Sequence, residues 1–135
     1  MVGNGTKRVD HMPLVRSYFQ KTAAALFAFL IAGITYLALT PISDDVSTLC
    51  WDKMNHLAAY LCLGILIDLG FVTGSRMGWK LCLLLLYSIL IESAQHFIPN
   101  RQFSGYDVFA NILGLMIAYG VLRMLQKTAA YQSLR

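Results

Sequence analysis

The chain has 135 residues, 57% of them hydrophobic and 13% charged, with a net charge of +4. Soluble domains average about 45–50% apolar and about 25% charged residues, so the departure is in the membrane direction. The positive charge is spread thinly, with no dense Lys/Arg block and no interleaved aromatic motif, which argues against nucleic-acid binding.

Residues 1–17 form a loose polar tail carrying Lys7, Arg8 and Arg16, with a helix able to begin at Leu14. A cleaved signal peptide is rejected. The following apolar run is long, and Thr40-Pro41 is a poor cleavage site. Thr22 to Thr40 contains no charge, and its roughly 19 residues cover about 28 Å, enough for a hydrocarbon core. Pro41 stops it.

A polar connector with Asp44 and Asp45 leads to Asp52-Lys53-Met-Asn55-His56, which opens a second span ending near Thr73. Gly74 to Gly78 reads as a turn holding Arg76. A third span runs from Trp79 to Ile98 and is ended by Pro99-Asn100; a fourth runs from Gly105 to Leu125. The expected fold is all-α. A four-helix transmembrane bundle over residues 18–125 lies between two tails, 1–17 and 126–135, and its short connectors make neighbouring helices antiparallel. Cys50, Cys62 and Cys82 are an odd set with no close pair, which gives neither a disulfide framework nor a zinc pattern. Cys62 and Cys82 are expected as buried fillers.

Nine of the eleven Lys and Arg residues fall in the termini and the second connector side. Only Lys53 and Arg101 fall on the other side. The positive-inside rule then places both termini in the cytoplasm. Trp51 and Tyr106 at one level and Trp79 at the other suit interfacial belts.

Polar side chains gather on one side of this plan. Asp52 and His56 share a face of the second span. Ser88, Glu92, Gln95 and His96 form a stripe on the third, and Asp107, Asn111, Gly114 and Ala118 one on the fourth. All three stripes lie at the outer ends of their helices. Polar groups inside a membrane are expensive, so their convergence marks a candidate site. The small residues Gly114 and Ala118 would let a neighbouring helix approach closely below it. The first span is expected mainly as a wall.

Each residue also has a plain structural reading. Asp52 suits an N-cap, and Ser104-Gly-Tyr-Asp107 matches a capping box. His56 and His96 each follow an acid by four residues and could be simple polar pairs. Arg101 could snorkel to headgroups. Asp68 reads as interfacial, off the Asp52–His56 face, so Asp68→Asn should be tolerated. Glu92 resists such a reading. It lies about 9 Å down the helix from Ile98 and costs several kcal/mol unless partnered. Arg101, His56 and Asn111 are its candidate partners.

Asp52-Lys53-x-x-His56-x-x-x-Tyr60, followed by Glu92-x-x-Gln95-x-Phe97-x-Pro99-x-Arg101-x-Phe103-Ser104-x-x-Asp107-x-x-x-Asn111-x-x-Gly114, resembles the VanZ-like family of small membrane proteins. The resemblance covers roughly residues 22–125. It implies a multi-pass protein of the bacterial cytoplasmic membrane with a link to teicoplanin-type glycopeptide tolerance, and it supplies no reaction. The shared residues are Asp52, Lys53, His56, Glu92, Gln95, Arg101, Asp107, Asn111 and Gly114.

Three functions remain open. The first is an outward-facing polar site that binds membrane lipid or a lipid-linked envelope precursor, with Arg101 and Lys53 contacting its anionic group. The second is a membrane enzyme, with Asp52, His56, Glu92 and His96 as metal ligands or Glu92 and a His as acid and base. The third is a small transporter, disfavoured because broken helices and paired repeats are missing. No HExxH-type signature appears, so no metal and no cofactor are assigned. The candidate ligand-binding set is Asp52, Lys53, His56, Glu92, Gln95, His96, Arg101, Asp107 and Asn111; the oligomeric state is left open.

Overall fold

The computed structural model describes residues 12–41, 49–72, 77–99 and 101–134. The Asp44–Asp45 connector, Arg76, Asn100 and the N-terminal Lys7 and Arg8 lie outside the described residues, as does the side chain of Trp51. Four long helices follow in order: α1 (Met12–Leu39), α2 (Leu49–Gly70), α3 (Met77–Gln95) and α4 (Gly105–Leu125). A short α5 (Ala129–Leu134) ends the chain. No strand occurs among the described residues.

Three helices, Leu14–Leu39, Met77–Gln95 and Gly105–Leu125, are long and apolar enough to cross a membrane. The expected fourth span, α2, does not meet that standard alone. It carries Asp52, Lys53, His56 and Asp68, and it packs against each of the other long helices, of which α3 and α4 supply polar partners. Burial is inverted relative to a soluble bundle. Asp68, Lys80, Ser88, Glu92, Gln95, Asp107 and Asn111 are buried, while Phe29, Leu86, Leu90, Phe109 and Met116 lie on the outside. Phe29 is 79% exposed and Glu92 1%. That distribution suits a lipid surround, in which apolar side chains face outward at no cost and polar groups must be satisfied inside. Cys62 and Cys82, expected as buried fillers, are exposed on helix surfaces for the same reason.

Helix ends depart from the sequence reading in specific ways. α1 begins at Met12, inside the expected tail, because nothing between Leu14 and Thr22 breaks a helix. α2 begins at Leu49, so Asp52 lies in the first turn rather than at the N-cap. α3 begins at Met77, which takes Gly78 out of the expected turn, and it stops at Gln95 before the turn toward Pro99.

Small residues set the helix spacing. A methyl group on Gly114 would collide with the carbonyl oxygen of Leu57 and lie 3.0 Å from the amide nitrogen of Leu61, so α4 lies against the α2 backbone there. One on Gly64 would sit 2.7 Å from Ala118 Cβ. The expected role of Gly114 and Ala118 is thus met in full. One on Gly70 would sit 2.7 Å from the amide nitrogen of Ala24, bringing α2 against α1. Tyr60, Leu63, Leu84 and Leu115 fill the middle of the bundle, with Phe27, Leu30, Ile31 and Ile34 of α1 against them.

At the end away from the polar stripes, Asp68 is fully buried rather than interfacial. Its Oδ1 accepts from Lys80 Nζ at 2.9 Å, and its Oδ2 accepts from the Tyr131 hydroxyl. Lys80 Nζ also donates to the Phe71 carbonyl at 2.7 Å. Tyr131 packs with Met77 and Leu122, so residues 126–135, expected as a tail, include a helix whose aromatic side chain is seated in the bundle.

Candidate functional site

The N-terminal ends of α2 and α4 and the C-terminal ends of α1 and α3 meet at one end of the bundle. Antiparallel packing brings the stripes at His56, Glu92 and Asn111 together there. His56 Nδ1 and Asn111 Oδ1 are 3.2 Å apart, and Asn111 Nδ2 donates to Ser88 Oγ at 2.8 Å. These bonds join α2, α4 and α3 through the half-buried His56 and the buried Asn111 and Ser88. Interhelical bonds of this kind average about 0.6 kcal/mol and reach about 1.7 kcal/mol, so position is their larger contribution. With Asn111 Oδ1 as acceptor, Nδ1 carries the imidazole proton and Nε2 is turned toward two carboxylates. Asp52 Oδ1 and Asp107 Oδ2 each lie 3.9 Å from Nε2.

The capping box of α4 is realised in an altered form. Ser104 has extended backbone angles, φ −118° and ψ 108°, and its Oγ accepts from the Asp107 amide at 3.3 Å. In an ordinary capping box the third-position acid reaches back to the cap's own amide. Here the Ser104 amide instead donates to Glu92 Oε2 at 3.3 Å. Glu92, on α3, thus takes the place of Asp107, and Asp107 is left to face His56. Glu92 Oε1 and Asp107 Oδ1 are buried and accept no hydrogen bond among the described residues. The partner of Glu92 is therefore a backbone amide, where Arg101, His56 and Asn111 had been the candidates.

Arg101 turns to α1. Its Nε donates to the Thr40 carbonyl at 3.0 Å and its Nη2 to the Leu37 carbonyl at 2.6 Å. Gln95 Nε2 donates to the Ala38 carbonyl at 3.3 Å, and Thr40 Oγ1 to the Tyr36 carbonyl at 2.7 Å. The last carbonyls of a helix lack partners within it, and Pro41 cannot continue the ladder, so these side chains complete the end of α1. The first helix is more than a wall: its C-terminus is a structural part of the site.

A cleft of about 220 Å³ opens at this end. Ile34, Leu37 and Ala38 form its apolar wall, and Asp52, Asn55, His56, Gln95 and Arg101 supply its polar groups. Lys53 lies at the periphery, its Nζ 5.7 Å from the centre of the Tyr106 ring, within cation–π range. His96 is not brought into the cluster. It is exposed and packs edge-on against Phe97 at 5.6 Å. Glu92 and Gln95 point inward, and His96, one residue on from Gln95, is rotated to the outside. Asn55 was not among the candidate residues, although it stands three residues after Asp52 and so shares its helix face.

The sequence profile of the VanZ/LLP1 family matches residues 11–126. The chain belongs to the VanZ/LLP1 family. No curated protein and no solved structure matches it. For this VanZ/LLP1 protein, the matched region takes in all four long helices and every candidate residue. Ligand atoms of Asp52, His56 and Asp107 lie within 4.8 Å of one another, which makes these three the group that could hold a cation among the described residues.

Proposed function

We propose that this VanZ/LLP1-family membrane protein holds the anionic headgroup of an envelope lipid, or of a lipid-linked envelope precursor, in the cleft between α1, α2 and α3. Arg101 carries the reading. Its guanidinium lines the cleft, yet its hydrogen bonds go to carbonyl oxygens, and it makes no ion pair with a carboxylate among the described residues. Neutral carbonyls orient the planar fork and leave its charge available to a phosphate or carboxylate. The apolar wall of Ile34, Leu37 and Ala38 suits the first carbons of an acyl or isoprenyl chain. The Lys/Arg asymmetry supports cytoplasmic termini, with the cleft opening on the outer face of a bacterial cytoplasmic membrane. Occupancy of an envelope lipid there is the route by which the protein alters tolerance to glycopeptides of the teicoplanin type.

The test is tolerance and membrane accumulation measured together for Glu92→Gln and Arg101→Lys. Glu92→Gln keeps an oxygen for the Ser104 amide but removes the carboxyl group, and Arg101→Lys removes the fork. Both are expected to abolish the phenotype, with Glu92→Gln accumulating at the normal level. Full tolerance in both variants makes the cluster interhelical glue and removes the headgroup reading.

A further inference from the structure

We propose that Asp52, His56 and Asp107 bind a divalent transition-metal ion at the mouth of the cleft, and that this ion bridges the protein to the phosphate of the headgroup. The second half rests on the headgroup reading above; the first stands on the geometry alone.

The spacing around His56 is wrong for direct pairing and suitable for an ion. A charge-assisted N–H···O bond closes to about 2.7–2.9 Å. Both carboxylates stop at 3.9 Å from Nε2, one on each of two helices. Imidazole nitrogen and carboxylate oxygen bind zinc at about 2.0–2.2 Å, so two ligands of one tetrahedral ion lie about 3.3–3.6 Å apart. The three ligand atoms fall within 4.8 Å, and a contraction of about half an ångström for each His–Asp pair, with up to about 1.5 Å between the two carboxylates, places them on a common ion. Asp52, whose side chain is 54% exposed, can supply most of that movement by a change of rotamer.

Two further observations point to a ligand. Asp107 is a buried residue whose carboxylate faces the imidazole through Oδ2 and has a buried Oδ1 with no hydrogen-bond donor among the described residues. Asn111 holds His56 by Nδ1, and Asn111 is itself held by Ser88. A metal-binding histidine nearly always engages its second nitrogen in this way, which fixes the tautomer and presents the other lone pair to the metal. The capping arrangement has the same consequence, because Glu92 serves the Ser104 amide and Asp107 remains available. One imidazole and two carboxylates suit zinc or manganese better than magnesium or calcium, which favour oxygen alone. Three protein ligands leave a position for a phosphate oxygen. The ion also explains how a cleft lined by the Asp52 carboxylate, with Asp107 close behind His56, accepts an anion.

The test uses the full-length protein purified in a non-chelating detergent, stripped with EDTA and titrated with Zn²⁺ and with Mn²⁺ by calorimetry, with bound metal counted by mass spectrometry. One ion per chain is expected for at least one of the two metals. Asp52→Asn, at an exposed position that puts little of the fold at risk, and His56→Gln should each weaken binding at least about tenfold, the scale seen even for loss of supporting groups around a metal. His96→Gln should bind as the wild type does. Failure to take up either metal overturns the site, as does wild-type affinity in both Asp52→Asn and His56→Gln. A short-chain isoprenyl phosphate, added with and without the bound metal, separates the two claims. Tighter phosphate binding with the metal supports the bridge. Metal uptake with no phosphate binding leaves the ion site standing and overturns the headgroup reading. Phosphate binding by a protein that takes up no metal does the reverse.

Discussion

Two buried carboxylates, at opposite ends of the bundle, are held in different ways. Asp68 faces an ammonium and a phenol, Lys80 and Tyr131, and needs nothing from outside the chain. Glu92 receives one backbone amide and keeps an oxygen without a donor. The first arrangement is that of a structural lock. Removing one partner of a buried ion pair costs about 3–5 kcal/mol, because the other charge stays behind. Asp68→Asn is therefore expected to lower stability by about 3 kcal/mol, read as a reduced midpoint of thermal unfolding in detergent, while Lys53→Gln at the periphery shifts it little. An unchanged midpoint in Asp68→Asn would show that the Lys80 charge finds water or lipid headgroups. The sequence concealed this lock. Lys80 comes just after the Gly74–Gly78 stretch that reads as a turn, and Tyr131 lies in a stretch that reads as a tail, so no helical spacing connects either to Asp68.

At the scale of helices, close approach of α2 and α4 places His56 beside Asn111. Gly114 makes that approach possible, since a Cβ there meets the α2 backbone rather than a flexible side chain. Gly114→Ala should cost about 1–3 kcal/mol by overpacking and displace His56 from Asn111. Gly120→Ala, in the same helix with open space around it, should be neutral or stabilise by up to about 1 kcal/mol through helix propensity. Unfolding in a mild denaturing detergent compares the two; equal effects would remove the close-packing account. This crossing was legible in the sequence, because Gly114 and Ala118 share a face with Asn111 at helical spacing. The role of Arg101 was not. Its partners are the carbonyls of Leu37 and Thr40, and a backbone acceptor leaves no mark in a pattern of side chains. The exchange of acids at Ser104 was hidden likewise: the local sequence spells a capping box, and only the packing of α3 on α4 shows that Glu92 fills it.

For the whole molecule, polar residues are sorted by end as well as by depth. One end is closed by the Asp68 lock and the seated Tyr131; the other opens as the cleft. Reporter fusions after Arg135 and within the connector between α1 and α2 test the orientation, with a cytoplasmic signal expected from the first and an external signal from the second. An external signal from the C-terminal fusion would turn the cleft to the cytoplasm. The central claim, that the open end is a binding site, is tested most directly by titrating the purified protein with a short-chain isoprenyl phosphate in lipid nanodiscs. The account predicts saturable binding of one molecule per chain, weakened at least about tenfold in Arg101→Lys, in keeping with loss of a charge-assisted bidentate contact. Binding that never saturates, or that is equal in wild type and Arg101→Lys, would contradict it.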